Sequence, residues 1–149
     1  TRKFKDATSM LFLGRHVGYP TALEGALKLK ELAYMHAEGF AGGELKHGPI
    51  ALIDNGTPVV AIMPAAASLL AEKMASNIQE VKARGARVIA IADEQVDIAE
   101  HTILIPKSHE FLQAVLAVVP LQVISYEMAL ARGNDVDQPR NLAKSVTVE

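Results

Sequence analysis

The chain of 149 residues has no cysteine. That excludes disulfides and cysteine-ligated zinc, and it suits a reducing compartment such as the cytoplasm. Excess charge is also lacking: the formal net charge is -2, and no Lys and Arg cluster interleaved with aromatics supplies the footprint of a nucleic-acid binder. No apolar run approaches the ~20 residues a membrane-spanning helix needs, so no membrane partner is expected. There is no signal-peptide pattern, no repeat at the ~20–50-residue periods of solenoids and no low-complexity tract. What is present is ordinary for a globular domain, with 50% hydrophobic and 21% charged residues. The length is that of one domain, enough to bury about 70% of the unfolded chain's surface.

Strand and helix signals alternate along the chain. Ser9–Leu13 is a short apolar run ending at Gly14 and reads as the first strand. The loop from Gly14 leads to Pro20, placed here at a first helical position, where its fixed φ suits the turn and its missing N–H costs nothing. The helix that follows is rich in Ala, Leu, Lys and Glu, and Gly39, Gly42 and Gly43 are expected to break it. Pro49–Ile53 reads as a short helix. Pro58–Met63 and Arg87–Ala92 are continuous apolar runs typical of strands buried on both faces. Residues 67–84 have helical spacing and a Gly85 stop, and Thr102–Ile105 is a short fourth strand. Phe111–Arg132 is apolar nearly all round, so it must be covered on several sides, and Pro120 either kinks it or starts its second half. The pattern predicts a three-layer α/β/α sandwich with a mostly parallel, doubly wound, flavodoxin-like sheet.

The most informative stretch is residues 19–49. At 100° per residue, Glu24, Lys28 and Glu31 fall within one arc of about 60°. Leu27 and Leu32 flank that arc and Met35 lies inside it. As a solvated ion-pair stripe, such a face contributes a few tenths of a kcal/mol per pair. As chemistry, two carboxylates with an ammonium between them can move a proton beside an electrophile. His47, set against the Gly48-Pro49 turn, adds the side chain best suited to shuttling protons near neutral pH. His36, Glu38, Glu44 and His47 fit no compact zinc pattern, and no metal or organic cofactor is expected. His101 and His109 flank the fourth strand and read as capping or packing residues.

Three motifs, LEGALKLKE (Leu23–Glu31), GELKHGPIALI (Gly43–Ile53) and DQPRNLAKSVTVE (Asp137–Glu149), together resemble the glutamine–fructose-6-phosphate transaminase (isomerising) family, the glucosamine-6-phosphate synthases. More narrowly, they resemble its C-terminal sugar isomerase (SIS) subdomain, over essentially the whole chain and in the same order. The resemblance implies one SIS domain over residues 1–149, cut from a longer chain that does not begin at Thr1. Residues 133–149 would form a tail that folds over the sugar site. It implies that Lys144 forms a Schiff base with C2 of open-chain fructose 6-phosphate and that Glu31 moves the proton between C1 and C2. Lys28 would be the cation beside the enolate-like oxygen, Glu24 a supporting carboxylate, and His47 the ring-opening group, reaching across from an adjacent subunit of a homodimer. By the same tail motif Ala143 and Arg140 are substrate-binding, Arg140 as the anchor of the tail and not as a catalytic group.

Two departures limit what this chain can do alone. The family's ammonia-releasing glutaminase domain needs a cysteine nucleophile, and its phosphate cradle is a Ser/Thr-rich loop of the preceding SIS subdomain. This chain has neither, so it is expected to fold and dimerise but to be nearly inactive by itself. His16 stands where the family usually has glycine and reads as a loop surface residue. Two other classes stay open: a related SIS sugar-phosphate isomerase or deglycase, and a non-catalytic phosphosugar sensor. The terminal lysine motif argues against the first. The joint presence of Glu31, Lys28 and Lys144 argues against the second.

Overall fold

A computed structural model describes residues 2–65 and 68–142. Five strands form one parallel sheet: β1 (Ser9–Gly14), β2 (His36–Ala41), β3 (Pro58–Ile62), β4 (Arg87–Ala92) and β5 (His101–Leu104). Their order is β2-β1-β3-β4-β5, the doubly wound arrangement that reverses direction between β1 and β3. Three helices complete the layers: α1 (Gly18–Ala33), α2 (Leu69–Lys82) and α3 (Glu110–Ala131). The expected α/β/α sandwich is what the chain forms.

The two faces follow from the two-residue period of a strand. Met10, Phe12, Val60, Ile62, Ile89 and Ile91 point into the core shared with α1 and α3. Leu11, Leu13, Val59, Ala61, Val88 and Ala90 point to the opposite core, where Met74, Ile78 and Val81 of α2 close over them. Leu45, from the turn after β2, is fully buried in this second core. Because β3 and β4 are covered on both sides, each reads as a continuous apolar run.

Several boundaries differ from the sequence reading. Helix α1 begins at Gly18, so Pro20 is its third residue, still within the first turn where no intrahelical N–H bond is lost. It ends at Ala33 because Tyr34 turns into the left-handed region, φ 51° and ψ 33°. Met35 therefore leaves the helical face and is buried in the first core. Residues 36–41 then form β2, an edge strand the apolar pattern hid: of its six residues only Ala37 is buried. Gly39 is not a helix breaker. A β-carbon there would lie 2.9 Å from the Leu23 backbone, so glycine lets α1 rest directly on the strand.

Helix α3 runs unbroken through Pro120. At 22 residues, with a hydropathy of 1.7 in its most apolar window, it is long and apolar enough to cross a bilayer by length and composition. That corrects the expectation of no such run, which Pro120, Gln113 and Ser125 obscure in the sequence. Here it serves as a packing helix: Ala117, Leu121, Ile124, Met128 and Ala129 are buried in the first core. Its other side leaves Phe111, Val115, Val119, Val123, Tyr126 and Leu130 exposed. His109 caps its start, the imidazole accepting from the Phe111 N–H at 3.5 Å.

Candidate active site

The charged stripe of α1 is set by what the other side of the helix must do. Ala22, Ala26, Leu29 and Ala33 are buried against the sheet and α3. Glu24, Lys28 and Glu31 lie about 180° away on the helical wheel. Lys28 Nζ donates to Glu31 Oε2 at 2.6 Å and sits 3.6 Å from Glu24 Oε1. Side-chain exposure is 28% for Lys28, 29% for Glu31 and 37% for Glu24, so the triad faces outward beside the exposed Leu23 and Leu27. The hydrogen bond that Lys28 donates to Glu31 holds the Lys28 pKa above its ordinary 10.5, helped by the charges of Glu31 and Glu24 and opposed by partial burial. Lys28 is thus a fixed cation at physiological pH, poised to stabilise negative charge.

The sign of that linkage can be tested. A group whose folded pKa is raised contributes stability that is fully present below the unfolded value of 10.5 and lost as pH rises through the folded value. Side-chain titration of Lys28 in the native protein is expected to show a midpoint above 10.5. The Glu31→Gln variant should bring it down. An unchanged midpoint would mean the pair is not formed in solution.

The tail arrives at the same end of α1. Asn134 Nδ2 donates to the Leu32 carbonyl at 3.1 Å, and the Arg140 N–H donates to Tyr34 Oη at 2.7 Å. The Arg140 guanidinium lies over the Tyr34 ring, 4.1 Å from its centroid. Lys30, Glu31, Tyr34, Arg140, Asn141 and Leu142 line a cleft of about 340 Å³. Lys144 and Ala143 lie outside the described residues, and the last described residue, Leu142, is in this cleft beside Glu31.

His47 is elsewhere. It sits in the turn after the carboxyl end of β2, exposed, next to Leu45 of the second core. The sheet separates it from α1, which belongs to the first core. That turn is braced from below: Arg15 Nε donates to Asn77 Oδ1 at 3.0 Å, and Lys46 pairs with Glu80 at 2.8 Å. The structure therefore brings Glu24, Lys28 and Glu31 together and sets Glu31 in one cleft with Arg140, Asn141 and Leu142 of the tail, but it does not bring His47 there. Sequence reasoning missed Tyr34 and the Arg15–Asn77 brace. Only a tyrosine at a helix end, where glycine or asparagine is the ordinary residue, could have signalled the first. His16, in the β1–α1 loop, is exposed as expected; its φ of 52° is one that glycine adopts without strain, and its ring lies 6.1 Å from that of Phe111.

Residues 3–132 match the family described as SIS domain. The chain belongs to the SIS domain family. Across 99% of its length it is 62% identical to the glutamine–fructose-6-phosphate aminotransferase [isomerizing] of Streptomyces coelicolor, and across 97% it is 64% identical to that of Corynebacterium diphtheriae. This SIS domain spans only about a quarter of those proteins, 25% and 24%. Its fold superposes with a TM-score of 0.83 on the C-terminal domain of glucosamine-fructose-6-phosphate aminotransferase from Francisella tularensis. The identity there is 43%, over 92% of this chain and 39% of that one.

Proposed function

We propose that this SIS domain is the proton-transfer half of a glutamine–fructose-6-phosphate aminotransferase, a cytoplasmic enzyme that makes glucosamine 6-phosphate. The observation that carries the reading is the Glu24–Lys28–Glu31 triad, with a hydrogen bond of 2.6 Å at its centre, whose Glu31 lines the cleft where the C-terminal tail meets Tyr34. Identity above 60% to two aminotransferases so named supports it.

The residues take the following roles. The neutral amine of Lys144 adds to the C2 carbonyl of the open-chain ketose, and water leaves as the imine forms. Ammonia then displaces the lysine at C2. Glu31 removes a proton from C1 and returns it to C2 while the C1 hydroxyl proton passes to the imine nitrogen, giving the aldose amine. Lys28, held cationic, stabilises the negative charge that develops on the C1 oxygen, and Glu24 keeps that ammonium in place. Ala143 and Arg140 are assigned to substrate binding.

His47, as the ring-opening group, lies across the sheet from Glu31. We infer a homodimer in which each site borrows His47 from the partner. The uncovered apolar face of α3 and the exposed Leu23 and Leu27 suit burial against the preceding SIS subdomain, which would also hold the phosphate. The glutaminase domain of the same protein would supply ammonia.

Borohydride trapping of the full-length protein with fructose 6-phosphate, followed by peptide mapping, tests the reading. A reduced adduct on Lys144 is expected. Sugar binding without an adduct would favour a sensor, or an isomerase that forms no covalent imine.

A further inference from the structure

We propose that Tyr34 is a positioning residue: through Arg140 it latches the C-terminal tail to the last turn of α1, so that Lys144 is delivered beside Glu31. The inference rests on the Schiff-base reading of Lys144 and extends it to a side chain that does not touch substrate.

Tyr34 ends α1 in the left-handed conformation, at φ 51°. For a residue with a β-carbon this costs about 1–2 kcal/mol, which glycine would avoid. The side chain has a use that offsets the strain. Its ring lies under the Arg140 guanidinium at 4.1 Å, and its hydroxyl accepts the Arg140 backbone N–H at 2.7 Å. One tyrosine thus holds both the main chain and the side chain of the same tail residue, fixing position and direction together. A cation over an aromatic face contributes about 0.5–1 kcal/mol at such an exposed site.

The rest of the segment is already shaped for this contact. Asn134 is tied to the Leu32 carbonyl at 3.1 Å. Asp135 Oδ1 accepts from the N–H groups of Asp137 and Gln138 at 2.9 and 3.1 Å, an Asx turn that reverses the chain. Val136 packs on the first core. Two tethers, at Asn134 and Arg140, therefore bracket a preformed turn. Lys144 is four positions on from Arg140, a reach of at most ~14 Å. Glu31 and Tyr34 are one helical turn apart on α1, about 4.5 Å along its axis. With residue 140 fixed beside Tyr34, the Glu31 carboxylate falls within that reach. Without the Tyr34 contacts the segment would be tethered only at Asn134, ten positions before Lys144, and the effective concentration of the amine at Glu31 would fall.

Two variants of the full-length protein test this. Tyr34→Gly removes the ring and hydroxyl but suits the left-handed cap, so its unfolding temperature should be unchanged or higher. The Arg140 amide should exchange with solvent faster, and borohydride trapping at Lys144 with fructose 6-phosphate should slow about 10-fold. Tyr34→Phe keeps the ring and loses the acceptor, so both effects should be intermediate. A purely structural role predicts the opposite division: lower stability with unchanged trapping. Parent-like amide exchange at Arg140 in both variants, or parent-like trapping in Tyr34→Gly, overturns the latch. If the parent forms no Lys144 adduct, the Schiff-base reading fails and the delivery role fails with it, whereas accelerated Arg140 exchange would still show the tether itself.

Discussion

Replacing Glu31 by glutamine in the full-length protein is expected to lower kcat by about 10²–10⁴-fold, the usual contribution of a positioned general base. Glutamine is nearly isosteric and keeps an oxygen that can accept the Lys28 hydrogen bond, now 2.6 Å long. It cannot take the C1 proton. Sugar-phosphate affinity should change little, because the phosphate is assigned to the preceding subdomain and Lys28 keeps Glu24 3.6 Å away as a counter-ion. Steady-state kinetics alongside a ligand-binding titration would separate the two quantities. Full turnover in this variant would remove Glu31 from the mechanism. A response to ligand that persists in a protein with no turnover in either form would point to a sensor.

Gly14→Ala is expected to be the most damaging single change to the fold. A β-carbon at residue 14 would lie 2.0 Å from the Gly18 carbonyl oxygen, 2.3 Å from its carbon and 2.6 Å from the Tyr19 nitrogen. All three are backbone atoms of the first turn of α1, so no rotamer change can make room. The helix must move off the end of β1, and with it the inward face of Ala22, Ala26 and Leu29. Overpacking a core ordinarily costs about 1–3 kcal/mol, and a clash with rigid backbone belongs at or above the top of that range. Thermal unfolding should show a large drop in midpoint or an insoluble product. The same substitution at Gly133, where nothing lies within 4 Å, is a useful comparison, because its cost is only that of φ 75°. Equal stability of the two variants would mean that the contact between β1 and α1 is looser than described.

Much of the architecture was legible in the chain because burial on both faces writes itself as a continuous apolar run. β3 and β4 are of this kind, with all but one of their residues buried, and their boundaries needed almost no correction. β2 is the counterexample. It pairs only with β1, at the edge, and most of its positions are half exposed, so its two-residue pattern is too weak to read. Its glycine at residue 39, which looked like punctuation, is a contact point for α1. Helix α3 misled in the other direction: Pro120, Gln113 and Ser125 break up its apolar run in the sequence, yet backbone and packing carry it through as a single helix.

The candidate site divides the same way. Spacing alone put Glu24, Lys28 and Glu31 on one helical face, because three positions at i, i+4 and i+7 share a side of any α-helix whatever surrounds it. The sequence by itself determined that stripe, the absence of cysteine chemistry, and the order of the helices and of every strand except β2. Only the tertiary structure decided that His47 lies across the sheet from Glu31, because that depends on which core the turn after β2 enters. It alone decided that the tail returns to the end of α1, because Tyr34 and Arg140 are 106 positions apart in the chain. Contacts of that separation leave no periodicity to read; they exist because the sheet brings distant backbone together and a strained helix end presents an aromatic ring to meet it.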